Sequence, residues 1–148
     1  MNLDIALFHF LNHDLGWDGI APFMRFMSSF RAFLPLVVLA AVWMLVRGGW
    51  KGRMTVLALL IMVPLSDVTS VRIIKPAFHR ARPCWPTSGL TDVKTHGAYC
   101  PRNASFPSSH ATNTATATGI LVGSYPVLAV PMVAVLVFVG WSRVYFGT

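Results

Sequence analysis

Residues 32–46 read Ala-Phe-Leu-Pro-Leu-Val-Val-Leu-Ala-Ala-Val-Trp-Met-Leu-Val, an unbroken apolar run closed by Arg47. With the preceding turn included, it approaches the ~20 residues that carry a helix across a bilayer. The pattern repeats outward. Residues 47–53 (Arg-Gly-Gly-Trp-Lys-Gly-Arg) predict a short basic turn with glycine breakers and an interfacial tryptophan. Met54 to about Ile74 predicts a second span. It carries Pro64, Ser66, Asp67 and Thr69, so its second half is expected to face protein. Ser108 to Tyr125 predicts a helix of small residues, suited to close packing in a bilayer. A turn at Ser124-Tyr125-Pro126 leads to a last span, Val127 to Trp141. Residues 3–30 mix apolar and polar positions and break at His13-Asp14-Leu15-Gly16, which predicts two short amphipathic helices lying at the interface, with a strained first span as the alternative for the earlier one. The expected fold is an all-α integral membrane helical bundle. Residues 1–31 would be interfacial and residues 32–148 a transmembrane domain.

Composition supports this class. Of 148 residues, 55% are hydrophobic and only 11% charged, against about 25% charged in soluble domains. Glutamate is absent, and the acids are Asp4, Asp14, Asp18, Asp67 and Asp92. That scarcity argues against a paired-carboxylate hydrolase and a carboxylate-rich metal site. The net charge of +7 would suit nucleic acid by magnitude alone. The basic residues border apolar spans, however, so anionic membrane lipids are the expected partner and nucleic acid is not. Met1-Asn2-Leu3-Asp4 lacks the positive start of a secretory signal, so insertion is expected to rely on internal spans. Oligomeric state has no signal.

Three polar clusters lie where apolar stretches begin or end: Lys75 to Pro83, Pro107-Ser108-Ser109-His110, and Ser142 to Thr148. Alternating hairpins put the 47–53 turn and the Tyr125-Pro126 turn on one side. All three clusters, with the polar loop 84–106, then share the other. A count of Arg47, Lys51 and Arg53 against Lys75, Arg80, Arg82, Lys94 and Arg102 favours a cytoplasmic cluster face. Basic residues that bind a ligand are poor topology signals, and Cys84 and Cys100 in the loop favour the outside. These cysteines are either free thiols or a disulfide, which would be worth roughly 3 kcal/mol and would need an oxidising face.

The clusters supply cations, hydroxyls and an imidazole with no acid among them, a chemistry suited to phosphate. Lys75 and Arg82 are seven positions apart, and a helix continuing past Ile74 would project both from one side. They would clamp an oxyanion or serve as interfacial anchors. Pro107-Ser108-Ser109-His110 opens a helix, whose free N–H groups gather anions. Ser108 is a phosphate donor or a plain N-cap. His110 suits general acid work.

Lys-x6-Arg-Pro at Lys75, Arg82 and Pro83, Pro-Ser-x-His at Pro107, Ser108 and His110, and Ser-Arg at Ser142 and Arg143 stand in order. Over about residues 54–148 this resembles the type 2 phosphatidic acid phosphatase family, lipid phosphate phosphatases related to vanadium haloperoxidases. The resemblance implies that Lys75, Arg82 and Arg143 bind the phosphoryl oxygens. Ser108 and the Ser109 backbone would complete the cradle, and His110 would protonate the leaving group. Arg143 would also stabilise the transition state. No metal or cofactor is implied. The substrate would be a lipid phosphate or diphosphate at the outer face of a bacterial inner membrane, undecaprenyl diphosphate, phosphatidylglycerol phosphate and phosphatidate being candidates.

Two departures stand out. Ser109 replaces the usual glycine. The third motif stops at Thr148, whereas its nucleophilic histidine, which would form a phosphohistidine, falls at the next position and its aspartate four further on. The chain is therefore expected to be C-terminally truncated. Two readings stay open: a lipid phosphatase in the complete protein, or a non-catalytic lipid-phosphate binder or inactive fragment. His9 and His13 lack a third metal ligand. His79 is expected to be solvated, His96 to be loop, and Asp67 to pair with Arg72 or a neighbouring helix.

Overall fold

A computed structural model describes residues 3–148. Residues 1–2 of the expected interfacial segment lie outside them. Helix α1 (Leu3–His9) runs into a π turn, Phe10–Asp14, and α2 spans Ala21–Ser28. Then come α3 (Phe30–Arg47), α4 (Gly49–Thr69), a π turn at Ser70–Ile74 and the short α5 (Lys75–Phe78). After the long loop follow α6 (Ser109–Ser124) and α7 (Ala129–Tyr145). No strand occurs among the described residues. The protein is an all-α membrane bundle.

Three stretches are long and apolar enough to cross a membrane: Phe30–Arg47, Gly49–Phe78 and Pro126–Tyr145. Protein buries only 6%, 17% and 11% of their apolar windows. Such faces need lipid as their solvent, since nothing else offsets the exposure of so much apolar surface. Helix α6 packs between α4 and α7, and α3 packs on α4. The α4–α6 seam carries side-chain bonds. Asn113 Nδ2 donates to Asp67 Oδ1 at 2.9 Å, and Thr116 Oγ1 donates to Ser66 Oγ at 2.9 Å. Asp67 thus pairs with a neighbouring helix and not with Arg72.

The predicted 47–53 turn is shorter than its composition suggested. Only Gly48 separates α3 from α4, and Gly49 (φ +57°) makes the reversal. A Cβ on Gly52 would lie 2.3 Å from the Met44 carbonyl oxygen, so glycine lets the hairpin close. Lys51 Nζ sits 5.0 Å from the centre of the Tyr125 ring. That contact puts the α3–α4 and α6–α7 joints at the same end, as alternation requires, and leaves the polar clusters at the other.

The tightest packing lies at the cluster end. Met24 and Tyr145 are fully buried, with Phe146 nearly so, and Ile20, Ala21, Ala98 and Trp141 surround them. The N-terminal helices are therefore packed against the end of α7. Asn12, also fully buried, donates from Nδ2 to the carbonyls of Lys94 (2.9 Å), Val144 (3.0 Å) and Tyr145 (2.9 Å), and its Oδ1 accepts from Lys94 N–H (3.0 Å). His96 is more than loop. Its ring stacks on Tyr145 at 3.9 Å, and its Nδ1 lies 2.8 Å from Asp18 Oδ1.

Candidate active site

The first cluster is built by a helix that ends early. Pro76 has no N–H and its ring crowds the preceding turn. The π turn at Ser70–Ile74 widens the helix just before it. His79 then adopts a left-handed conformation (φ 45°) and closes α5, its N–H bonding the Lys75 carbonyl at 3.1 Å. The expectation of one helix face carrying both Lys75 and Arg82 is corrected here: Arg82 lies beyond the helix. The loop brings it back instead. Arg82 Nε donates to the Asn103 carbonyl at 2.7 Å, and Nη2 donates to Asn103 Oδ1 at 2.6 Å. Both cations are buried, each only 6% exposed. Burial lowers the pKa of the Arg82 guanidinium from its ordinary value, yet arginine starts so high that it keeps its charge.

The loop is braced at several points. Cys84 and Cys100 form a disulfide with Cα atoms 6.1 Å apart. Trp85 Nε1 donates to the Pro101 carbonyl at 2.9 Å, and Ser105 N–H donates to the Arg80 carbonyl at 2.9 Å. Cys84 N–H donates to the Gly147 carbonyl at 3.1 Å, which ties the first cluster to the third.

In the second cluster, Ser108 is the N-cap of α6, its Oγ accepting from Ala111 N–H at 3.5 Å. Capping uses the acceptor side of the hydroxyl and leaves its proton to donate. Ser109 and His110 are the first two helical residues, so their N–H groups have no intrahelical acceptor. Ser109 is absent from the left-handed residues of the chain, so its side chain in the glycine position carries no backbone strain. His110 is exposed.

The third cluster is helical, a second correction: α7 runs past Trp141 to Tyr145. Ser142 is fully buried and its Oγ donates to the Val139 carbonyl at 2.7 Å. Arg143 therefore stands in the last helical turn, where a cation is favoured by the dipole. Its Nη1 donates to Ser28 Oγ at 2.8 Å.

The three clusters meet. Arg80 and Pro83 of the first cluster, Ser108 of the second and Arg143 and Val144 of the third line a common cavity. Ser108 and Arg143 line one cavity of about 270 Å³, with Thr148 in the same wall and Ile5, Phe8 and Phe106 opposite in character. The arrangement is a cationic, hydroxyl-bearing cradle beside an apolar surface. Asn12, Ser28 and Asn103 were not anticipated. None belongs to a local motif, and each bonds across a large sequence distance. Among the described residues no cluster of three metal-ligating side chains occurs, and His13 spends a ring nitrogen on the Asp92 carbonyl.

No curated protein and no solved structure matches the chain at a significant level. A family model described as the PAP2 superfamily matches residues 54–148, more than half of the chain and all three clusters. The chain belongs to the PAP2 superfamily.

Proposed function

We propose that this protein acts on a lipid phosphate or diphosphate, holding the phosphoryl group between Lys75, Arg82, Arg143 and the N-terminus of α6. Family membership supports a phosphatase-type function in general. The observation that carries the lipid reading is the cradle's position at the end of membrane-spanning helices, beside an apolar cavity wall. Fixed cations and N–H dipoles there would stabilise the charge that builds up as phosphorus is attacked. His110 would give a proton to the departing oxygen. The family pattern puts the attacking histidine at the position after Thr148, and Thr148 lines the same cavity as Ser108 and Arg143. In-line attack would form a phosphohistidine, which water then hydrolyses. The Cys84–Cys100 bond supports an oxidising, extracytoplasmic face of a bacterial inner membrane.

Phosphate release from the full-length protein tests this, using undecaprenyl diphosphate, phosphatidylglycerol phosphate, phosphatidate and a water-soluble phosphomonoester. Release from at least one lipid is expected to exceed that from the soluble ester. His110→Ala and Arg143→Ala should each lower turnover at least about 100-fold, with membrane insertion unchanged. Full activity in either variant would sink the site assignment. Lipid binding without any release would favour a non-catalytic lipid-phosphate binder.

A further inference from the structure

We propose that residues 11–28 form a clasp that positions Arg143, with Ser28 as its positioning residue; this rests on the phosphate role given to Arg143 above. The clasp lies wholly outside the stretch matching the family model, residues 54–148. It nevertheless bonds residues that flank Arg143 in the chain, before and after it. Trp141 Nε1 donates to the Leu11 carbonyl at 3.2 Å. Asn12 bonds the carbonyls of Val144 and Tyr145. Tyr145 Oη donates to the Trp17 carbonyl at 3.2 Å. Met24 is fully buried against Tyr145 and Phe146, and Phe23 meets Phe138 edge-on with centroids 5.2 Å apart. These contacts seat α2 so that Ser28, its last residue, reaches the guanidinium.

The chemistry of that bond favours positioning. An arginine side chain has several free torsions, and a fixed N–H restricts them. Ser28 is a neutral acceptor, so it orients the guanidinium without cancelling its charge. A carboxylate at the same place would take the charge that a phosphoryl group needs. Nη1 is held by Ser28, and Arg143 lines the same cavity as Ser108. Geometry held this way matters, because a small misplacement of a binding group weakens every bond it makes to a transferring group.

The test uses the full-length protein, with inorganic phosphate as the competing ligand. Ser28→Ala is expected to weaken phosphate inhibition and raise KM about 10-fold, with a thermal midpoint within about 2 °C of the parent. Ser28→Thr, which keeps the hydroxyl, should restore both constants. Protection against thermal unfolding by inorganic phosphate then gives a double-mutant cycle. In an Arg143→Ala background, Ser28→Ala should cause no further loss of protection. If Arg143→Ala abolishes turnover while Ser28→Ala leaves KM and phosphate inhibition unchanged, the clasp has no positioning role. An equal Ser28→Ala loss in the Arg143→Ala background would also overturn it. Full activity in Arg143→Ala would overturn the site assignment itself, and this inference with it.

Discussion

Replacing Asn12 with alanine should destabilise the cluster end of the molecule sharply. Asn12 is fully buried and reaches four backbone groups on two other segments. Its amide has two hydrogens for three carbonyls, so the bonds are shared and the four contacts count as about three. The Val144 carbonyl keeps a second partner, Gly147 N–H at 3.0 Å. The variant therefore strands the Lys94 carbonyl, the Lys94 N–H and the Tyr145 carbonyl. A buried backbone group without a partner costs about 1–3 kcal/mol. Three of them give about 3–9 kcal/mol, before any cavity cost. Asn12→Asp is the sharper variant. It keeps the acceptor for Lys94 N–H but turns a carboxylate on three carbonyl oxygens, so it should be at least as damaging as alanine. Tryptophan fluorescence suits the assay, because Trp17 and Trp141 both bond within this region. For a chain of this size each kcal/mol moves the thermal midpoint by roughly 2–4 °C. Asn12→Ala should thus lower it by at least about 6 °C in detergent micelles. A midpoint within about 2 °C of the parent, or an Asp variant more stable than the Ala variant, would refute the reasoning.

Two further outcomes follow from the loop. Breaking the Cys84–Cys100 bond with reductant, or by Cys84→Ser, should cost about 3 kcal/mol for a loop of this length. It should also weaken phosphate inhibition, since the same loop carries the Asn103 that holds Arg82; unchanged inhibition with and without reductant would count against that link. Gly147→Ala should destabilise by about 2–3 kcal/mol, because Gly147 has φ +62° and an added Cβ would lie 2.6 Å from Val93 Cγ1. A thermal midpoint equal to the parent's would show that the turn tolerates a side chain.

Much of the bundle was legible in the chain. Apolar runs separated by glycine, proline and charge mark spans whatever their tertiary partners, because the lipid sees one helix at a time. Alternation then put Lys75, His110 and Arg143 at one end without any contact being known. Local breaks were harder to read. The helix carrying Lys75 ends at His79 because Pro76 and the π turn disturb it, and the spacing to Arg82 had suggested an unbroken helix. Conversely, α7 continues to Tyr145, since Ser142 and Arg143 satisfy themselves within and beside the last turn. The supporting residues were invisible for a different reason. Asn12, Ser28 and Asn103 are single polar residues whose partners lie 132, 115 and 21 positions away. No periodicity encodes such pairs. His96 was misread likewise: its stacking on Tyr145 is a tertiary event.

The continuous stretch Gly49–Phe78 has 30 residues. At 1.5 Å per residue it is about 45 Å long, while the hydrocarbon core of a bilayer is about 30 Å thick. Standing upright, a helix of this length overshoots the core, which would put Lys75 near its end at the depth of lipid headgroups. For a lipid substrate, the encounter then becomes a search in two dimensions. The phosphate arrives already at the right height, and no part of the lipid has to be lifted into water. Turnover should follow the mole fraction of substrate in the membrane and be indifferent to the volume of buffer around it. Diluting a substrate vesicle with inert lipid would slow such an enzyme, and diluting the suspension would not.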